Sequence, residues 1–563
     1  MRHAGFNVSE TPRKALTPLN YLLLAVFCLF AFAPGIASLP PTDRDESRFV
    51  QATKQMVESG DYVDIRFQDE PRYKKPAGIY WLQSTAVLAS GQGSNAPIWV
   101  YRLVSVLAGT FSVLALAFIG DRMFGRTAGL IAAFGLAGVL MLGVEARIAK
   151  TDATLLATAL LAQGALATIY LGHRAGRPQG NANWLFWAAQ GLAILIKGPV
   201  VPFMSVLTVA ALALLDRDRS WLRRLRPFTG ILLTLLVAAP WLILITLKTG
   251  AAFWQESVGK DLLSKVGSGQ ESHGFPPGYY FLTYSVFMWP FALVALDGGL
   301  KALNRFRDDP RLLFCLAWYL PYWVAIELIP TKLPHYVLPA YPALLLLMAW
   351  SLTDASASTT ALSRWQVWLR RACAFGVIGV SAGLAAIATG ITPYFLGKYS
   401  WWGQFAGLLV FAAALLGAGM PKDMSPLQRT GLAAAAAAAA FGVLTWKVLP
   451  PLRPLWLSPQ IAEGFESLKP CPTSRLVSAG YGEPSLVFLA GTRTLLTNGE
   501  GAAQALAEDP ACAVAIVADS ESDRFTASVP GGKAALTELG RIQGMNYSKG
   551  EPRVLTFYTL AKP

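Results

Sequence analysis

Charge is scarce in this chain: only 15% of its 563 residues are Asp, Glu, Lys or Arg, while 54% are hydrophobic. An ordinary soluble domain carries about 25% charged residues, so the composition argues against a large soluble enzyme. Metal-ligating residues are scarcer still. Four histidines, five cysteines and no Cys-x-x-Cys leave no structural zinc site to read. Internal repeats are missing too, and with them the symmetry common in transporters. The net charge of +14 is no nucleic-acid footprint, because the lysines and arginines are spread over short loops between apolar runs.

What the chain does have is a series of nearly uncharged runs close to the length that crosses a bilayer's hydrocarbon core. The pattern predicts about 13 spans, at 19–38, 97–120, 127–144, 153–172, 182–196, 199–215, 228–247, 278–300, 312–329, 336–353, 371–391, 401–419 and 430–449. Ile79 to Ser90 is too short to cross and reads as an interfacial or re-entrant helix. The alanine run Ala433 to Ala440 reads as a packing surface. With this parity, the loops assigned to the cytoplasm and the N-terminal leader hold roughly 20 Lys and Arg against about five in the short outer loops, the bias expected of cytoplasmic loops.

The expected architecture is therefore a polytopic α-helical membrane protein of the bacterial inner membrane. A membrane domain over 1–449 carries long outer loops at 39–96 and 248–277, and a small α/β domain follows over 450–563. The N-terminus is expected in the cytoplasm and the tail in the periplasm. In the tail, Leu476 to Ser478, Ser485 to Leu489, Ala513 to Ala518 and Val554 to Leu560 read as strands, and Ala502 to Glu508 as a helix. Cys471 and Cys512 share that oxidising side, where a disulfide is allowed, but two cysteines alone fix no geometry.

Loops this long in a helical bundle are usually functional. The first holds Asp43-Arg44-Asp45-Glu46-Ser47-Arg48, then Arg72-Tyr73-Lys74-Lys75-Pro76 ahead of Tyr80-Trp81. Acids in the first turn of a helix are ordinary capping, and basic residues beside aromatics are ordinary interfacial anchors, so each motif alone leaves a bland reading open. The loop Glu145 to Asp152, the turn Lys197-Gly198-Pro199 and the segment Lys332-Leu333-Pro334-His335-Tyr336 bring further ionisable groups to the same face. Asp45, Asp152, Lys75, Lys197 and Lys332 together on one edge of the bilayer favour a functional site.

The order D-x-D-E-x-R, then KP before YW, then an Asp opening the fourth span, then KGP and KLPHYVLPAYP resembles the lipid-linked-sugar glycosyltransferases of the GT-C fold. Within that fold it resembles the bacterial aminoarabinose transferases acting on lipid A, alongside the protein O-mannosyltransferases. The resemblance implies transfer of a sugar from a polyprenyl-phosphate donor to an envelope glycolipid, outside the cytoplasm and with inversion. It implies catalytic roles for Asp45 and Asp152, and substrate-binding roles for Arg48, Tyr73, Lys75, Lys197, Lys332 and Tyr336. The lipid bilayer is the expected partner, nucleic acid is not, and a monomer is expected. A flippase for a lipid-linked sugar and a protein O-glycosyltransferase are the alternatives.

One position departs from the family. Lys74 stands where the aminoarabinose transferases have an acid that helps hold a divalent metal, and His273 resembles the remaining ligand. No cofactor is expected, a bound metal is in doubt, and an extra lysine would favour an acidic sugar such as a uronic acid. The charge parity generates a direct test. Reporter fusions after Arg226 and Arg307 should report the cytoplasm, and one after Pro563 the periplasm. A cytoplasmic C-terminus removes one span and the one-face argument with it.

Overall fold

The computed structural model describes residues 15–264 and 274–561. Helical structure occupies every segment expected to span. Among the described residues, seven helical stretches are long and apolar enough to cross a membrane: Ile98–Phe124, Asp152–Arg174, Ser220–Thr249, Pro310–Leu328, Pro334–Thr353, Arg364–Leu396 and Pro426–Val448. Four shorter apolar helices, Pro18–Phe32, Arg126–Gly138, Val200–Leu215 and Trp401–Gly417, accompany them. The segment read as one span at 278–300 is broken into Tyr279–Leu282, Tyr284–Phe287 and Ala292–Arg305. Pro290 lies in the break and has no N–H for a helical bond.

Several helix starts follow from capping chemistry. Ser363 with Gln366, and Ser425 with Gln428, form reciprocal capping boxes ahead of Arg364–Leu396 and Pro426–Val443. Asp309 caps Pro310–Leu328, whose first residue is proline. Small residues set the close approaches. A Cβ on Gly138 would sit 2.7 Å from the Ala434 Cα, so the alanine-rich helix is a packing surface. A Cβ on Gly78 would sit 2.6 Å from the Leu195 carbonyl oxygen, which lets the short helix Gly78–Ala89 lie against Ala182–Lys197.

The first outer loop is built around a helix, Asp45–Ser59, that stops at Gly60 in the left-handed conformation. Its anchor is Glu46, which is fully buried. The Arg102 guanidinium donates to both Glu46 carboxylate oxygens, at 2.7 and 2.8 Å, and to the carbonyls of Ile36, Leu39 and Pro40. The same carboxylate accepts from the Thr42 N–H and hydroxyl and from the Ala149 N–H at 2.8 Å. Burial alone would raise the Glu46 carboxyl, but Arg102 and these amides outweigh it and hold it below its usual range.

In the tail a five-stranded mixed sheet runs in the order Leu495–Thr497, Leu476–Ala479, Val514–Ala518, Glu551–Leu560, Leu536–Asn546. The first three strands are parallel and the last two antiparallel. Cys471 and Cys512 are joined in a disulfide, with their Cα atoms 5.4 Å apart. The expected strand Ser485 to Leu489 is instead a helix, Pro484–Ala490. Pro484 opens it, and its short apolar run fits either structure by periodicity alone. That helix and the turn after it grip the first outer loop. The Lys54 ammonium donates to the Phe488 carbonyl, Gln51 to the Thr492 hydroxyl, and Gln68 to the carbonyls of Thr492 and Thr494. Nearby, the Ser485 N–H donates to the Asp43 carboxylate. Burial pushes that carboxyl up to about 6, with Glu483 adding to the rise.

Replacing Arg102 by Met strands a buried carboxylate, a change that costs about 3–5 kcal/mol. The melting temperature of the purified protein, followed by tryptophan fluorescence, should fall sharply in Arg102→Met and recover in part in the Glu46→Gln/Arg102→Met pair. A single variant as stable as the parent would remove the pair from its anchoring role.

Candidate active site

One cavity of about 120 Å³ opens where the first outer loop, the Glu145–Asp152 loop and the start of Pro334–Thr353 converge. Asp45, Arg48, Lys75, Asp152, Lys197 and Tyr336 all line it, so the structure brings these expected residues together. Asp45 is the first residue of Asp45–Ser59 and stays exposed. The residue before it, Arg44, has φ of 66°, a conformation disfavoured for a side chain with a Cβ. Contacts from the tail hold it there. The Arg44 guanidinium donates to the Ser548 carbonyl at 2.5 Å, and the Asp43 N–H to the Tyr547 hydroxyl at 2.7 Å. Backbone strain is thus placed next to the one exposed carboxylate that the loop offers the cavity.

Asp152 begins its helix, so its carboxylate projects from the membrane edge, and two ammonium groups meet it. Lys197 donates to Oδ1 at 2.6 Å, and Lys150 lies 3.7 Å from Oδ2. Lys197 also stands over the Tyr336 ring, 5.4 Å from its centroid. Lys75 donates to Asp261 Oδ2 at 2.7 Å and to the Lys74 carbonyl at 2.9 Å. Asp261 comes from Gln255–Leu263, in the second long outer loop. The cavity is therefore lined by carboxylate–ammonium pairs.

Two expected residues are placed elsewhere. Lys332 turns away from the cavity and donates to the carbonyls of Ile326, Glu327 and Ile329, so it caps the end of Pro310–Leu328. Tyr73 is buried, its hydroxyl donating to Asp64 at 2.9 Å and its ring packed edge-on to Phe253. Both sit next to cavity residues in sequence, but Tyr73 lies in a turn and Lys332 in irregular backbone, where neighbouring side chains take different directions. Reasoning from sequence missed Glu145, Lys150, Asp261 and His335 as site residues. Lys150 and His335 had a signal, since each lies within two residues of a residue that was chosen.

The expected ligand His273 lies outside the described residues, and Lys74, at the other expected metal position, lines the cavity. Among the described residues a different set converges: Glu145, Asp152 and His335 offer atoms all within 4.8 Å of one another. The Lys150 ammonium sits among them, 3.0 Å from Glu145, 3.7 Å from Asp152 and 3.3 Å from His335 Nδ1. With Lys197 also on Asp152, the three groups already surround a cation, and a divalent ion does not fit without expelling an ammonium.

Comparisons agree with the fold. The family described as dolichyl-phosphate-mannose-protein mannosyltransferase matches residues 74–244. The undecaprenyl phosphate-alpha-4-amino-4-deoxy-L-arabinose arabinosyl transferase of Pectobacterium atrosepticum is 26% identical over 417 residues, covering 68% of this chain and 72% of that one. The crystal structure of ArnT from Cupriavidus metallidurans bound to undecaprenyl phosphate superposes with a TM-score of 0.72 at 18% identity, over 96% of this chain and 97% of that one. The archaeal oligosaccharyltransferase AglB from Archaeoglobus fulgidus gives 0.51 at 12% identity, over 96% and 74%.

The Lys150 geometry sets an expectation for metal. Purified protein treated with EDTA should keep its transfer rate. Loss of activity restored by zinc or manganese would mean that an ion displaces Lys150 or binds elsewhere.

Proposed function

We infer that this chain, a glycosyltransferase of the GT-C fold that resembles the bacterial aminoarabinose transferases, moves a sugar from a polyprenyl-phosphate donor to a lipid A-like glycolipid. The observation that carries this reading is the meeting of an exposed carboxylate, Asp45, with Lys75, Lys150 and Lys197 in one cavity. Transfer breaks the bond from the anomeric carbon to the phosphate oxygen and makes one to an acceptor oxygen, with inversion. The departing phosphate gains charge, and fixed cations stabilise it. An acceptor hydroxyl must lose a proton, and a nearby carboxylate accepts it.

Asp45 suits the proton-accepting role, because it is exposed to the cavity while Glu46 is committed to Arg102. Asp152 suits a holding role: it fixes Lys197 and Lys150 where the phosphate would sit. Tyr336 lies under the Lys197 ammonium and narrows the freedom of that side chain. In this reading about thirteen spans make up 1–449, the tail over 450–563 faces the periplasm with the cavity, and the N-terminus lies in the cytoplasm.

Mass spectrometry of envelope glycolipids from a deletion strain tests the activity. A sugar should vanish from the glycolipid and return with the wild-type chain. Asp45→Asn should insert normally yet fail to restore it. Lys75→Ala should chiefly weaken the donor, since a charge-assisted contact to phosphate is worth about 1.5–3 kcal/mol. Unchanged glycolipids beside a lost protein glycan would move the acceptor to protein, and wild-type activity in both variants would return these residues to membrane anchoring.

A further inference from the structure

Most cations at the cavity have a partner in the fold. Lys75 is paired with Asp261, Lys197 with Asp152, and Lys150 with Glu145, while Arg44 donates to a backbone carbonyl. Arg72 differs. It lines the cavity with only 9% of its surface exposed, its Nε is buried without a hydrogen-bond partner, and it makes no ion pair among the described residues. Arg48, which also lines the cavity, likewise has no ion pair among the described residues.

Burying a guanidinium without a counter-charge is costly. The Arg72 guanidinium carbon stands 5.1 Å from the centroid of the Phe49 ring, and Phe49 rests in turn on Tyr80. A ring face offsets only a small part of such a cost. It does, however, fix the plane of the guanidinium and leave its edges for an oxyanion that can accept two parallel hydrogen bonds. Phe49 lies one helical turn after Asp45 on Asp45–Ser59, so the stack is mounted on the helix that carries the exposed carboxylate.

We propose that Arg72, with Arg48, binds an oxyanion of a substrate beside Asp45, as an anion-recognition element added to the lysine–carboxylate pairs of the same cavity. The counter-charge that the fold withholds from Arg72 arrives with the ligand. The group is a phosphate, either that of the polyprenyl-phosphate donor or one carried by the glycolipid acceptor. The proposal rests on the glycosyl-transfer reading of the cavity and names a recognition element within it.

The test uses the full chain in lipid nanodiscs with two probes, undecaprenyl phosphate and phosphorylated lipid A, compared for wild type, Arg72→Met and Arg72→Lys. Arg72→Met should weaken one probe about tenfold or more, and Arg72→Lys should recover only part, since it keeps the charge and loses the fork. Weakening toward undecaprenyl phosphate assigns the donor phosphate, and weakening confined to lipid A assigns the acceptor. If Arg72→Met does not fold, the Arg72→Lys comparison decides by the same criterion. Unchanged affinity for both probes, in a variant that melts with the wild type, overturns the proposal and leaves Arg72 a structural cation on Phe49. Should wild type bind neither lipid, the glycosyl-transfer reading fails. Protection by inorganic phosphate of wild type but not of Arg72→Met then supports Arg72 on its own, and equal protection overturns it.

Discussion

The buried contact between Glu46 and Arg102 is the constraint on which the cavity depends. One carboxylate, next in sequence to Asp45, ties together three parts of the chain: the first outer loop, the helix Ile98–Phe124 and the backbone of Ala149 just ahead of Lys150 and Asp152. Carboxylate and guanidinium are both desolvated, so the pair is stabilising only because the remaining lone pairs and N–H groups are also used. The geometry meets that demand, with carbonyls of Ile36, Leu39 and Pro40 taking the spare guanidinium protons. Adjacent acids therefore divide the work. Glu46 faces inward and fixes position, and Asp45 is left facing the cavity.

The tail acts on the same helix from the other side. Its contacts at Asp43 and Arg44 bracket the strained backbone before Asp45, and those at Gln51, Lys54 and Gln68 hold the rest of the loop. A residue with positive φ persists where surrounding contacts over-determine it. Here those contacts come from residues more than 400 positions away in sequence. The tail thus contributes no group to the cavity wall among the described residues, yet its contacts help hold the backbone that carries the cavity's exposed carboxylate.

Sequence legibility followed the range of the forces involved. Apolar run length marked the helical segments, because the bilayer imposes a length that local composition must meet. Asp45, Asp152, Lys75 and Lys197 were legible because ionisable residues at one membrane edge are costly and stand out. The direction of a side chain was not. Tyr73 and Lys332 carry suitable chemistry at the right positions in sequence, but neighbouring backbone turns one toward Asp64 and the other onto carbonyls at a helix end. Glu46 looked like a third candidate acid of the loop, since its partner Arg102 is 56 residues away inside an apolar run. The strand Leu536–Asn546 was silent for another reason. It is an edge strand interrupted by Gly540 and Gly544, with polar residues on much of its length, so neither alternation nor β-propensity marks it.

The charges of the cavity follow one logic. Carboxylates hold the ammonium groups of Lys75, Lys150 and Lys197 in place, so those cations are ordered before any ligand enters, and little reorganisation remains when a phosphate departs. A cation on a side chain is also fixed in number and position by the fold, whereas a metal ion must find three or four open ligands. Lys150 stands among Glu145, Asp152 and His335 with its charge supplied by the chain itself. Pairing nevertheless dilutes the field that an incoming anion feels, because each lysine already faces a carboxylate. Arg48 and Arg72 lack such partners among the described residues, and with them the cavity retains positive charge next to Asp45. Ordered pairs supply the geometry of the site, and the two arginines without an ion pair among the described residues supply its attraction for an anion.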